Sequence, residues 1–399
     1  MHRARQFLIL LALAGLLAGL LPGALGAQGT EPTSIPTDTV VVRFTYGTRD
    51  RLDAVAGELD IWEVHPDQGY AVAAVSPEQF LWLQSLGYRL EIDPQLTARL
   101  NQPHEPLPGQ GPESIPGYPC YRTVEETYAD MQDLVDAYPT LVNLYDIGDS
   151  WEKLAPGGNA GYDLLALRIT NEDIPGPKPR FFLMAEIHAR EYTTAELAMR
   201  FAEYILERYG SDPTVTFFVD YHELYVVPMT NPDGRKMAEG GQWWRKNTDN
   251  DDGCNDPYSW GTDLNRNYRF KWGCCNGSSG DPCAETYRGP SRGSEPETVA
   301  IINIVQGIFQ DWNGPNGDDE VPGAAPANAS GLLITLHSYS QLVLWPWGWT
   351  STDAPNGAQL QAIGTKLATY NGYTPQQSND LYTTAGTTDD WSYGKLGIA

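Results

Sequence analysis

The chain has 399 residues, 41% of them hydrophobic, and carries 51 acidic against 26 basic side chains for a net charge of −25. That length allows two or three domains with a sizeable core. The acidic balance argues against nucleic acid or an anionic membrane as partner, because both demand a basic face.

Taken in chain order, residues 1–27 read as a secretory leader. The stretch "MHRAR" gives a basic start, "FLILLALAGLLAGLL" an apolar run, and "PGALGA" the small residues for cleavage near Gly26 or Ala27. The apolar run is about 15 residues long, short of the roughly 20 that span a bilayer. No later stretch qualifies, so an exported, extracellular protein free of the membrane after leader cleavage is expected. Residues 28–101 form a small domain, in which 40–93 read as βαββαβ, the order of a ferredoxin-like α+β sandwich. The Pro/Gly-rich stretch 102–119 reads as an exposed linker. From 120 to 399 helical periodicity (123–137, 193–209, 295–310, 357–370) alternates with apolar strand-like runs (163–170, 181–187, 223–228, 331–336, 341–345). That alternation predicts an α/β domain with a largely buried sheet and helices on both faces.

Of five cysteines, Cys120, Cys254, Cys274, Cys275 and Cys283, none shows CxxC spacing, which argues against a cysteine zinc site. Export permits disulfides, and the odd count leaves at least one thiol over. The acidic stretch "NTDNDDGCND" (247–256) lacks EF-hand spacing, but its clustered oxygens suit Ca2+.

The chemistry-bearing residues lie in the larger region. "FFLMAEIHARE" (181–191) runs from an apolar stretch into His188 and Glu191, and "GLLITLHSYSQ" places His337 after another apolar run. The chain has only six histidines, and these two share one kind of position, the carboxyl end of a buried strand, where open α/β sheets bind ligands. Two imidazoles and one carboxylate with a free fourth position suit a catalytic zinc ion, one per chain. His222, in "DYHELY", lacks a matching carboxylate and reads as structural. Asn265 and Arg266 in "GTDLNRNYRFKWG" suit a substrate carboxylate, which a guanidinium binds bidentately. Arg245 in "WWRKN" offers a fixed positive charge to an oxyanion.

HxxE, "NPDG" (231–234), "WRKN", "DLNRNY", "CAETYRG" (283–289), "HSYSQLVLWPWG" and "YTTAGTTDDWSYG" occur in the order and approximate spacing of the zinc metallocarboxypeptidases. From about Cys120 onward the chain resembles that family, most of all secreted bacterial members of the carboxypeptidase T type, which share "NRNY…KWGCC". The resemblance implies a mixed eight-stranded sheet flanked by helices, with residues 28 to about 110 as an inhibitory propeptide. It implies His188, Glu191 and His337 as zinc ligands, and Arg245 as the group that polarises the scissile carbonyl. Asn265 and Arg266 would hold the substrate's terminal carboxylate, Tyr382 would close over it, and Asp389 would floor a pocket for basic C-terminal residues. Cys254 and Cys283 match a disulfide of the family, whereas Cys274 and Cys275 could bridge or stay as thiols. The implied partners are peptide or protein C-termini and the chain's own propeptide, acting on a monomer. Family members carry a glutamate general base some twenty residues after the capping tyrosine. None lies between Tyr382 and Ala399, so the base is expected just past residue 399 and the chain as given is expected to be inactive. The alternative is a zinc-binding module without catalysis.

Overall fold

The computed structural model describes residues 35–102, 105–108, 114–155 and 160–398. The leader lies outside them, and no helix among the described residues is long and apolar enough to cross a membrane.

The N-terminal layer runs β1 (Val40–Thr45), α1 (Arg49–Ala56), β2 (Asp60–His65), β3 (Tyr70–Val75), α2 (Pro77–Ser85) and β4 (Arg89–Ile92), followed by α3 (Pro94–Leu100). Its antiparallel sheet has the order β2-β3-β1-β4. A strand's side chains alternate between faces, and Val42 and Phe44 of β1 point with Leu52, Val55, Phe80 and Leu83 into one apolar core. The α2 helix starts where the sequence provides a capping box: the Ser76 hydroxyl accepts from the Gln79 amide, and the Gln79 side chain accepts from the Ser76 amide. Pro77 at the first helical position loses no needed hydrogen bond.

Beyond the linker come α4 (Val124–Ala137), β5 (Val142–Asp149), β6 (Asp163–Ile169), β7 (Arg180–Met184), α5 (Tyr192–Arg208), α6 (Pro213–Tyr221), β8 (Glu223–Val227) and α7 (Pro232–Glu239). The remaining elements are α8 (Pro296–Ile308), β9 (Leu332–Thr335), β10 (Leu342–Trp345), α9 (Gly357–Asn371), β11 (Thr374–Gln377) and α10 (Thr388–Leu396). The central sheet has the order β5-β6-β8-β7-β9. It is antiparallel from β5 to β8 and parallel across β8, β7 and β9. Both faces are covered. Phe182 and Met184 of β7 and Tyr225 and Val227 of β8 pack with Ile301, Ile302 and Val305 of α8 on one side. Their sequence neighbours Leu183, Leu224 and Val226 pack with Ala198, Met199 and Ala202 of α5 on the other. Fully burying one such large apolar side chain contributes roughly 1.5–3 kcal/mol, so β7 and β8 anchor the sheet.

Two expectations are corrected. The mixed sheet flanked by helices is present, but in place of eight strands in one sheet the described residues of this region hold seven, five in the central sheet and two, β10 and β11, in a separate parallel pair. The backbone of β10 takes its ladder partners from β11, so it does not extend the sheet from β9. The Pro/Gly-rich linker is also not exposed throughout: Ile115 is 1% exposed and packs with Tyr192, Ala238 and Trp244, because its apolar side chain gains more from that cluster than from water.

Candidate metal centre and active site

Strand β7 ends at Met184, earlier than the apolar run suggests, because Glu186 takes a left-handed backbone (φ 55°) that ends regular pairing. This turn carries His188 to the sheet's carboxyl edge and sets Glu191 at the N-cap of α5. Buried Glu186 pairs with buried Arg235, which also donates to Glu239 at 3.2 Å and to the Arg122 carbonyl at 2.6 Å. Burial pushes the Glu186 carboxyl up to about 7 against the pull of Arg235. Asn231 of "NPDG" donates to the carbonyls of Ile187 (3.3 Å) and Lys246 (3.0 Å), and the Ala189 amide donates to the Arg245 carbonyl at 3.1 Å. The metal loop and the Arg245 segment are thereby sewn together.

His337 follows β9, which is in parallel register with β7, Met184 facing Thr335. The three expected ligands converge. His188 Nδ1 lies 2.8 Å from Glu191 Oε1 and 3.1 Å from His337 Nδ1, and His337 Nδ1 lies 3.2 Å from Glu191 Oε2. His188 and Glu191 are buried while His337 is open to solvent, which leaves a side of the cluster accessible. Burial lowers the His188 pKa, with Arg245 adding to the effect, so the imidazole is held neutral, as a metal ligand must be. Burial alone would raise Glu191, but the two histidines outweigh it and hold the carboxylate ionised. One carboxylate and two imidazoles facing one point fit a divalent zinc ion with an open coordination position.

Asp263, missed by the sequence reading although it opens "DLNRNY", organises this centre. Its Oδ1 lies 3.3 Å from His188 Nε2 and accepts from the Asn265 amide at 2.9 Å; its Oδ2 accepts from Arg245 Nε (3.1 Å) and Nη2 (2.8 Å). It is fully buried, which would raise its pKa, yet Arg245, Arg266 and His188 drive it well below the usual carboxylate range. Asp263 therefore fixes the His188 ring from behind, as carboxylates commonly do for metal-bound histidines, and aims Arg245, whose Nη1 is 3.3 Å from His188 Nδ1.

Asn265 and Arg266 sit in the same cleft. Asn265 Nδ2 is 3.5 Å from His337 Nε2, and its Oδ1 accepts from Thr388 N and Oγ1, both at 3.0 Å. Arg266 is 3% exposed; its Nη1 donates to the Asn265 carbonyl at 2.8 Å and its buried Nε has no partner, leaving donor capacity for an anion. Tyr382 packs on the apolar core of the N-terminal layer. Asp389 is half-buried and accepts from Ser378 Oγ at 2.7 Å, whereas neighbouring Asp390 is buried and accepts from the amides of Gly348 (2.8 Å) and Trp349 (3.0 Å).

Cys254 pairs with Cys283, Cys274 with Cys275, and Cys120 is an exposed free thiol. His222 is the C-cap residue of α6, with Nδ1 3.1 Å from the Phe218 carbonyl.

The N-terminal layer sits at the mouth of this cleft. Asp60 accepts from Arg190 Nη2 at 2.6 Å, Tyr339 donates to Glu63 at 3.1 Å, and Trp62 packs on Trp243 with ring centroids 5.5 Å apart. Arg49 donates to the Asn379 carbonyl, and Asp53 accepts from the Thr383 amide at 3.0 Å, on either side of Tyr382.

Residues 127–399 match a protein family described as zinc carboxypeptidase. A zinc carboxypeptidase of Saccharothrix mutabilis subsp. capreolus is 31% identical over 423 residues, covering 99% of this chain and 87% of that protein. Carboxypeptidase A2 of Rattus norvegicus is 28% identical over 359 residues, covering 86% and 78%. Among solved structures, the carboxypeptidase A from Helicoverpa armigera shares the fold with a TM-score of 0.69 at 20% identity, over 91% of this chain and 87% of that one.

Proposed function

This chain belongs to the zinc carboxypeptidase family, and on that premise we propose that it acts on the C-terminal peptide bond of peptides and proteins, is exported behind its leader, and is made as a zymogen. The observation that carries the reading is the convergence of two anion-binding groups on the metal ligands: Arg245 lies beside His188, and Asn265 beside His337.

A peptide entering with its C-terminus first would meet Arg266 and Asn265 with its carboxylate, where guanidinium geometry favours two parallel hydrogen bonds. Arg245, held taut by Asp263, would donate to the scissile carbonyl oxygen as negative charge develops there. Tyr382 would cover the bound end. His188, Glu191 and His337 would hold the zinc ion, which when bound would supply Lewis acidity. No glutamate occurs among residues 383–399. The second reading is a zinc-binding module that recognises peptide ends without hydrolysing them.

The zymogen reading is supported by the Asp60–Arg190 pair and the Glu63–Tyr339 contact at the cleft mouth, which occupy polar groups an incoming peptide would need. Asp389, next to buried Asp390, supports a preference for Arg or Lys at the peptide end, since a half-buried carboxylate attracts a substrate cation.

The test compares matched peptides with free and amidated C-termini on the zinc-loaded protein. Binding at least about tenfold tighter for the free carboxylate, worth roughly 1.4 kcal/mol, supports the reading. Equal binding refutes it. Turnover of the free peptide, however slow, separates the enzyme from the non-catalytic module.

A further inference from the structure

A second group of carboxylates lies apart from the metal centre, under the 247–262 loop. Asp249, Asp252 and Glu295 each present an oxygen within 4.8 Å of the others. Asp249 and Glu295 are buried and Asp252 is half-buried. Fully buried Glu297 joins them through Asn247, whose Nδ2 donates to Glu295 Oε2 at 2.8 Å and to Glu297 Oε2 at 3.2 Å.

Elsewhere the buried acids are answered. Glu186 has Arg235, Asp263 has Arg245, and Asp390 has two backbone amides. None of the four acids here forms an ion pair with lysine, arginine or histidine among the described residues. Lys246, next along the chain, spends its ammonium on the carbonyls of Ser259, Pro282 and Ala284. A second feature points to a missing partner. The Thr262 hydroxyl, 0% exposed, faces the Asp252 carboxyl, which the Tyr287 hydroxyl also approaches, yet Thr262 Oγ1 and Asp252 Oδ2 lack a well-formed hydrogen bond. Burial pushes Glu295 up to about 7 and Glu297 up to about 8, with the neighbouring carboxylates adding to it. Buried, uncompensated charge of this kind is costly unless it is paired or bound to a metal.

We propose that Asp249, Asp252 and Glu295, with the Thr262 hydroxyl, form a calcium site that fastens the 247–262 loop to the start of α8. The donor set decides the ion. It contains no nitrogen or sulfur, which disfavours zinc, and its clustered carboxylates suit Ca2+, which takes six to eight oxygens at about 2.3–2.6 Å, better than the strictly octahedral, water-retaining Mg2+. Water completes the shell on the half-open side of Asp252. The Cys254–Cys283 bridge ties the middle of the same loop, so calcium and disulfide fasten it at separate points. The segment clamped begins right after Arg245 and Lys246. The inference is independent of the proposed peptidase activity.

The experiment uses zinc-loaded protein titrated with Tb3+, whose emission Tyr287, in contact with Asp252, would sensitise. Saturable emission from about one site, displaced by Ca2+ and not by equal Mg2+, is expected. Asp252→Asn and Glu295→Gln should each weaken Ca2+ binding at least about tenfold, because affinity follows ligand charge, with zinc content unchanged. The half-exposed Asp252 position keeps the test valid if the Glu295 variant folds poorly. No saturable emission, or unchanged Ca2+ affinity in the Asp252 variant, overturns the site. So does a Glu295→Gln protein that gains thermal stability while wild-type shows no response to Ca2+, since that is the behaviour of neutral carboxyls sharing protons.

Discussion

Replacing Asp263 by asparagine tests how far the metal centre depends on a residue that binds neither metal nor substrate. The carboxylate's two oxygens serve two clients: Oδ2 takes both bonds from Arg245, and Oδ1 takes His188 Nε2 and the Asn265 amide. In Asp263→Asn one of those oxygens becomes an NH2 donor, so either Arg245 or the His188 side confronts a donor whichever way the amide turns. Arg245 is mostly buried, with a side-chain exposure of 10% beside a fully buried Asp263. Breaking a buried pair by neutralising one member costs about 3–5 kcal/mol, and losing the carboxylate behind a ligand histidine costs about 10–100-fold in metal affinity. Urea unfolding of the metal-free protein reads the first quantity, and competitive zinc titration against a chelator the second. The Asp263 pKa is depressed in the fold. Its contribution is therefore complete above the unfolded value of about 3.9 and is lost as pH falls toward the folded one. The stability gap between wild type and variant should accordingly shrink below about pH 4. A variant within 1 kcal/mol of wild type, with unchanged zinc affinity, would refute this account of the centre.

Other outcomes follow from the same geometry. His337→Ala should reduce zinc from near one per chain to a trace by elemental analysis, because two ligands hold zinc poorly; unchanged content would remove His337 from the site. Peptides ending in Arg or Lys should bind more tightly than those ending in Leu or Phe, and Asp389→Ala should erase the difference; tight binding of Leu and Phe with weak binding of Arg would place Asp389 away from the substrate. Proteolytic cutting within 102–119 should expose the cleft and raise peptide affinity, as Asp60→Ala should in part by freeing Arg190; equal affinity before and after cleavage would remove the blocking role of the N-terminal layer.

The parts of this architecture legible in the sequence were those written locally. Apolar runs marked β6, β7, β8 and β9, and the histidines that follow two of them marked the metal loops. The edge strand β5 was not legible, since "VNLYDIGD" mixes polar residues on a half-exposed strand, and β11, "TPQQ", carries no apolar pattern at all. The end of β7 was misplaced because a left-handed Glu186 leaves no mark on hydrophobicity. Pairings distant in sequence were also hidden. Arg190 finds Asp60 across 130 positions, and Arg245 finds Asp263 across 18; spacing alone does not distinguish such partners from ordinary surface charges.

The placement of β9 has a consequence for dynamics. It is the outermost strand of the five-stranded sheet, only partly shielded, and it is tied inward through β7, including the Leu336 amide on the Met184 carbonyl at 2.9 Å. His188 hangs from the inner strand's end and His337 from the outer one's. A metal gripping both imidazoles acts as a clasp on the sheet margin, so occupancy and fraying of that margin form a single linked equilibrium. Amide hydrogens along β9 should then report metal binding through slowed exchange, from backbone positions that touch no ligand atom.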